Sequence, residues 1–141
     1  MMMLDYFLNL KLPTDPTRIV SVQTRVDDMM IEHRYGNRDR FAVRLSLEEA
    51  LINAMKHGNS FDAQKTVRLQ CVVTPVRLVV EVEDEGLGFN PSEVPDPTTP
   101  KGVGRFHGRG LYLMRNYMTR VLHSNGGRLV VMEKVRSSKK V

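Results

Sequence analysis

The chain has 141 residues and a mass of 16.1 kDa, which suits one domain built on one core. Hydrophobic residues make up 41% and charged residues 26%, a balance that argues against a disordered or fibrous chain. The net charge of +5 is uneven: residues 1–100 carry 11 Lys/Arg against 15 Asp/Glu, whereas residues 101–141 carry 10 against one.

The lone cysteine, Cys71 in VRLQCVV, excludes an internal disulfide and a multi-cysteine zinc site, and reads as a small buried hydrophobe. The opening segment MMMLDYFLNLKLP is apolar but short, lacks a basic stretch and carries Asp5, so it is not read as a signal peptide. No apolar run approaches the roughly 20 residues that span a bilayer. The expectation is a cytoplasmic protein with no membrane partner.

Residues 4–12 (LDYFLNLKL) alternate as a strand. Asp15 as N-cap and Pro16 at the first helical position start a helix. Ile19, Val22, Val26, Met29, Met30 and His33 recur on it at helical spacing, and Gly36 ends it. A second helix is expected from about Phe41 to His57, with Leu45, Leu47, Leu51, Ile52, Ala54 and Met55 as its apolar surface and Gly58 as its C-terminal cap.

Two Val-rich strands follow at about 65–74 and 76–84, with Thr74-Pro75 between them. Residues 85–109 hold five glycines and four prolines without apolar periodicity, and read as a lid or binding loop. A short helix over about 110–118 places Leu111, Met114 and Met118 on one face. A hairpin, RVLH and RLVVMEKV around Ser124-Asn125-Gly126-Gly127, closes the pattern. The order implies one α+β domain over residues 1–141. It would be a two-layer sandwich in which a mixed, mostly antiparallel sheet carries its helices on one face.

Three motifs carry chemistry. On the second helix, Glu49 and Asn53 are four residues apart and share a face, with Lys56 and His57 extending it by a turn. By itself this is also the pattern of a solvated helix face. At a strand end, Asp84-Glu85-Gly86-Leu87-Gly88 offers a carboxylate acceptor beside glycines that permit close approach. At a helix start, Gly108-Arg109-Gly110-Leu111 offers free N–H groups to phosphate, with Lys101, Arg105 and Arg109 as nearby cations.

In this order and context the three motifs resemble the GHKL (Bergerat-fold, HATPase-like) superfamily. The segments EALINAMKHGN, VEVEDEGLGFNPSEVPDP and GRGLYLMRNYMTRV look like the N box and the two glycine boxes of anti-sigma-factor serine/threonine kinases. The match runs from Asp15 to about Val135.

The resemblance implies ATP and Mg²⁺ as cofactors. Asn53 would ligate Mg²⁺ and Asp84 would accept from the adenine amino group. Gly86 and Gly88 would close beside the nucleotide, and Gly108, Gly110 and Leu111 would meet the phosphates, with His57 counted among the nucleotide-binding residues. Lys101, Arg105 and Arg109 are assigned to lid contacts on charge alone. Glu49 would be the general base toward a serine or threonine hydroxyl. Glu48 lies about 100° away around the helix. His107 directly before Gly108 departs from the family pattern, where further glycines are common. The chain has no phosphoacceptor-histidine helices and no length for the transducer domain of a topoisomerase-type ATPase.

The implied activity is an ATP-dependent protein serine/threonine kinase that phosphorylates an anti-anti-sigma (STAS-domain) partner and sequesters a sigma factor. The alternative is a nucleotide-gated binding module without phosphotransfer. A homodimer through the sheet is a family expectation. The basic tail KVRSSKKV lacks the aromatic interleaving of single-strand binders, which disfavours nucleic acid as a partner.

Overall fold

The computed structural model describes residues 6–86 and 113–138. Strand β1 (Tyr6–Pro13) is followed by a 3₁₀ turn (Pro16–Arg18), helix α1 (Ile19–Glu32) and helix α2 (Asn37–Ile52). A π-helical run (Asn53–Gly58), strands β2 (Thr66–Val73) and β3 (Arg77–Glu83), and a helical stretch over residues 113–117 come next. Strand β4 (Arg120–Ser124), a 3₁₀ turn (Asn125–Gly127) and strand β5 (Leu129–Val135) complete the order.

The five strands form one sheet in the order β1-β2-β3-β5-β4. All four pairings among the described residues are antiparallel. Leu8 and Leu12, Val67, Leu69, Cys71 and Val73, Leu78, Val80 and Val82, and Val130 and Met132 are buried on one face of the sheet. They meet Ile19, Val22, Val26 and Met30 of α1 and Val43, Leu47 and Leu51 of α2 in a single core. Period-two alternation in the strands and helical periodicity in the helices produce this two-layer packing. Cys71 is buried as expected, and burial pushes its thiol pKa up to about 12.

Asp15 caps as expected: its carboxylate accepts from Thr17 N at 3.0 Å, and Pro16 follows it. Gly36 does not end α1. That helix stops at Glu32, Arg34 takes a positive φ of 63°, and Gly36 is the extended N-cap of α2. Helix α2 thus begins at Asn37 rather than near Phe41, because its first turn, NRDR, is polar and carries no apolar signature. Asp39 in that turn is buried, and its carboxylate accepts from Ser137 N and Ser137 Oγ, both at 2.8 Å. Arg40 binds both oxygens of Asp27 at 2.8 Å, tying α2 to α1.

Among the described residues no helix is long and apolar enough to cross a membrane. Much of the expected 85–109 loop lies outside the described residues, as does Leu111. Met114 and Met118 are buried, in keeping with the short helix expected there.

Candidate functional site

Helix α2 buries its apolar side and turns a polar stripe, Ser46, Glu49 and Asn53, along one flank. The Asn53 N–H still donates to the Glu49 carbonyl, so the two side chains sit one α-helical turn apart. Among the described residues, Ser46 Oγ, Glu49 Oε2 and Asn53 Oδ1 are buried side-chain atoms without a hydrogen-bond partner. Buried polar atoms are nearly always satisfied, so three on one stripe are an unusual cluster. Burial, and secondarily the charge of Glu48, raises the Glu49 pKa. Glu48 itself is exposed and lines a groove between α1 and α2, which separates the two acids as the sequence suggested.

The helix then widens. Asn59 N donates to Ala54 O at 2.8 Å, a bond over five residues, and Asn53–Gly58 is π-helical. The expected extension of the stripe through Lys56 and His57 assumed an α-helical turn, and that register stops at Asn53. Both residues are exposed, and burial followed by the Lys56 charge lowers the His57 pKa.

Gly58 does not act as a left-handed cap, since it has no positive φ. Its role is close approach. A Cβ at Gly58 would lie 2.2 Å from Asp84 Cγ, and one at Gly86 would lie 1.9 Å from Gly58 O. The end of the helix is therefore pressed against the Asp84–Gly86 turn, and only glycine fits at either point. Asp84 N donates to Arg128 O at 3.0 Å, and Asp84 Oδ1 accepts from Gly86 N at 2.7 Å. Burial raises the Asp84 pKa, and the Gly86 N–H partly offsets this.

Of the residues singled out in the sequence, Glu49, Asn53, Asp84 and Gly86 are thus carried by two segments that meet at Gly58. His57 lies on the π-helical run between them. Gly88, Lys101, Arg105, His107, Gly108, Arg109, Gly110 and Leu111 lie outside the described residues. Sequence reasoning missed Ser46, the packing role of Gly58, and Asn59. A serine three residues before Glu49 was the available signal for the first. Nothing local in the sequence announces the others, because both depend on β3 arriving beside the helix.

Chemically, the site offers hard oxygen donors on the helix and a buried carboxylate acceptor at the strand end. Among the described residues no group of three or more His, Cys, Asp or Glu could hold a metal ion.

Comparison with known proteins identifies the family. The model of the histidine kinase-like ATPase domain matches residues 12–134. The chain is 26% identical to the serine-protein kinase RsbW of Bacillus velezensis, over 96% of this chain and 89% of that protein. It is 26% identical to the anti-sigma F factor of Clostridium novyi, over 67% of this chain and 71% of that protein. With a family match that runs from the end of β1 almost to the end of β5, and with the helix end at Gly58 packed against the Asp84–Gly86 turn, the chain belongs to the histidine kinase-like ATPase domain family.

Proposed function

We propose that this protein is an ATP-dependent protein serine/threonine kinase that phosphorylates an anti-anti-sigma partner and sequesters a sigma factor. The observation that carries the reading is the pair of buried oxygens without partners among the described residues, Glu49 Oε2 and Asn53 Oδ1, one turn apart on α2. The two relatives, a serine-protein kinase and an anti-sigma factor, support the same activity.

In this reading Asp84 accepts from the amino group of adenine, and the close contacts at Gly58 and Gly86 hold the turn that carries it against the helix end. His57, Gly88, Lys101, Arg105, Gly108, Arg109, Gly110 and Leu111 remain the proposed further nucleotide contacts. Asn53 Oδ1 fits Mg²⁺, a hard cation that takes few protein ligands and prefers oxygen. When bound with ATP, Mg²⁺ supplies charge neutralisation across the phosphates.

Glu49 orients the partner's serine or threonine hydroxyl and takes its proton. The hydroxyl oxygen forms a bond to the γ-phosphorus, the bond from that phosphorus to the β,γ-bridging oxygen breaks, and ADP leaves. A carboxylate with a raised pKa is better matched to this task near neutral pH than an exposed one.

The test is incubation with γ-labelled Mg-ATP and a panel of STAS-domain proteins from the same genome, beside Glu49→Gln. Label on one partner's serine or threonine, lost with Glu49→Gln by a factor of at least about 10², is the expected result. Tight ATP binding with no label on any partner overturns the kinase reading and leaves a nucleotide-gated binding module.

A further inference from the structure

We propose that Asn59 is a positioning residue that sets which purine base the site accepts. The proposal rests on the reading of Asp84 as the acceptor of the adenine amino group. Asn59 has 0% exposure, and its side chain joins three segments distant in sequence. Its Nδ2 donates to Thr14 Oγ1 at 3.1 Å and to Thr66 O at 3.0 Å. Its Oδ1 accepts from Glu85 N at 2.8 Å. The orientation of the amide follows from these partners, because a backbone N–H only donates and a carbonyl only accepts.

The Glu85 N–H belongs to the peptide that leaves Asp84. Holding it fixes the plane of that peptide, and with it the direction of the Asp84 side chain. The turn is also held by Asp84 N on Arg128 O, by Gly86 N on Asp84 Oδ1, and by Thr66 N and Oγ1 on Glu85 Oε2. Among the described residues, the Asn59 bond is the hydrogen bond that ties it to the helix end, directly beside the Gly58 contact.

Base choice depends on this alignment. Adenine presents an amino donor where guanine presents a carbonyl acceptor. A well-placed carboxylate accepts from the first and repels the second, and such hydrogen-bonding sites discriminate strongly. If the Glu85 N–H loses its acceptor, the peptide can rotate and the carboxylate leaves the line of the amino group. ATP affinity then falls, while contacts to the phosphates are unaffected.

The test uses the full chain with Mg²⁺ and measures Kd for ATP, GTP and inorganic tripolyphosphate by calorimetry. Wild type, Asp84→Asn, Asn59→Ala, Asn59→Asp and Thr14→Val are compared. Wild type is expected to prefer ATP over GTP by at least about tenfold. Asn59→Ala narrows that ratio by at least about fivefold, with tripolyphosphate affinity within about twofold of wild type. Asn59→Asp keeps the acceptor for Glu85 N–H and keeps the ratio. Thr14→Val removes a purely structural partner of Asn59, so it lowers the melting temperature and leaves the ratio intact.

A folded Asn59→Ala protein with the wild-type ratio, or one in which affinity for all three ligands falls together, overturns the proposal. So does fast hydrogen exchange of the Glu85 amide in folded wild type, a readout that needs no variant. A wild type without ATP preference, or one unchanged by Asp84→Asn, overturns the base-reading role of Asp84 itself. A wild-type preference abolished by Asp84→Asn but intact in Asn59→Ala removes only the role of Asn59.

Discussion

Glu49 is held where a carboxylate is expensive to keep. Its Oε2 is buried without a partner among the described residues, and its pKa is raised by that burial. A carboxyl whose pKa is higher in the folded than in the unfolded state favours folding fully only below the unfolded value, and this support is lost as pH rises through the folded value. Replacing Glu49 by Gln should therefore raise the melting temperature at pH 7. The gain should shrink toward zero as the pH falls below the ordinary carboxyl value of 4.5. Thermal melts of both proteins from pH 4 to 8 check this; a variant less stable than wild type at pH 7 contradicts it. The expected gain at the cost of phosphotransfer is the usual trade between stability and function at an active site. Gly58 is constrained more sharply. Gly58→Ala places a methyl 2.2 Å from Asp84 Cγ, so the Asp84 carboxyl must be displaced from its position beside the helix end. We expect ATP affinity to fall at least about tenfold and stability to drop by about 1–3 kcal/mol, measured by calorimetry and urea unfolding.

Helix α2 shows why a secondary-structure pattern is only partly readable from sequence. Its apolar positions announced the helix, but its start did not, because the first turn is anchored by a residue nearly a hundred positions away. Ser137 reaches Asp39 through both its N–H and its hydroxyl. The carboxylate also lies in the first turn of the helix, where negative charge is favourable. Asp39→Ala should cost about 2–3 kcal/mol and Ser137→Ala about 1 kcal/mol, read from urea midpoints at constant slope. Equal, negligible effects would show that this tie contributes nothing to the helix. The other end of α2 was misread for a related reason. Gly58 resembles a helix cap in sequence, yet its smallness serves an encounter with Asp84 and Gly86. The strands were legible within about two residues at most ends, since alternation is local. Glu49, Asn53, Asp84 and Gly86 were legible as motifs, whereas Asn59 gains its meaning only when Thr14, Thr66 and Glu85 converge on it.

The described residues share one core between a five-stranded sheet and the helices on one of its faces. Leu47 is fully buried in it, facing the sheet from α2. Leu47→Ala should cost about 2–5 kcal/mol, a large share of the about 5–15 kcal/mol that holds a domain of this kind together. Urea unfolding measures it, and a loss below about 1 kcal/mol would mean that the site collapses around the void. The strand order β1-β2-β3-β5-β4 has a different kind of consequence. The fifth strand is the last of the described strands to be synthesised, yet it is not an edge: it lies between β3 and β4 and pairs with both. While the chain is emerging from the ribosome, β1, β2 and β3 can already pair, but β3 presents a row of unfilled backbone donors and acceptors until Leu129–Val135 arrives. An open edge of this sort recruits other strands. Nascent chains stalled before Leu129 should therefore be sticky and protease-sensitive, and the chain should become both soluble and resistant in one step once β5 clears the exit tunnel.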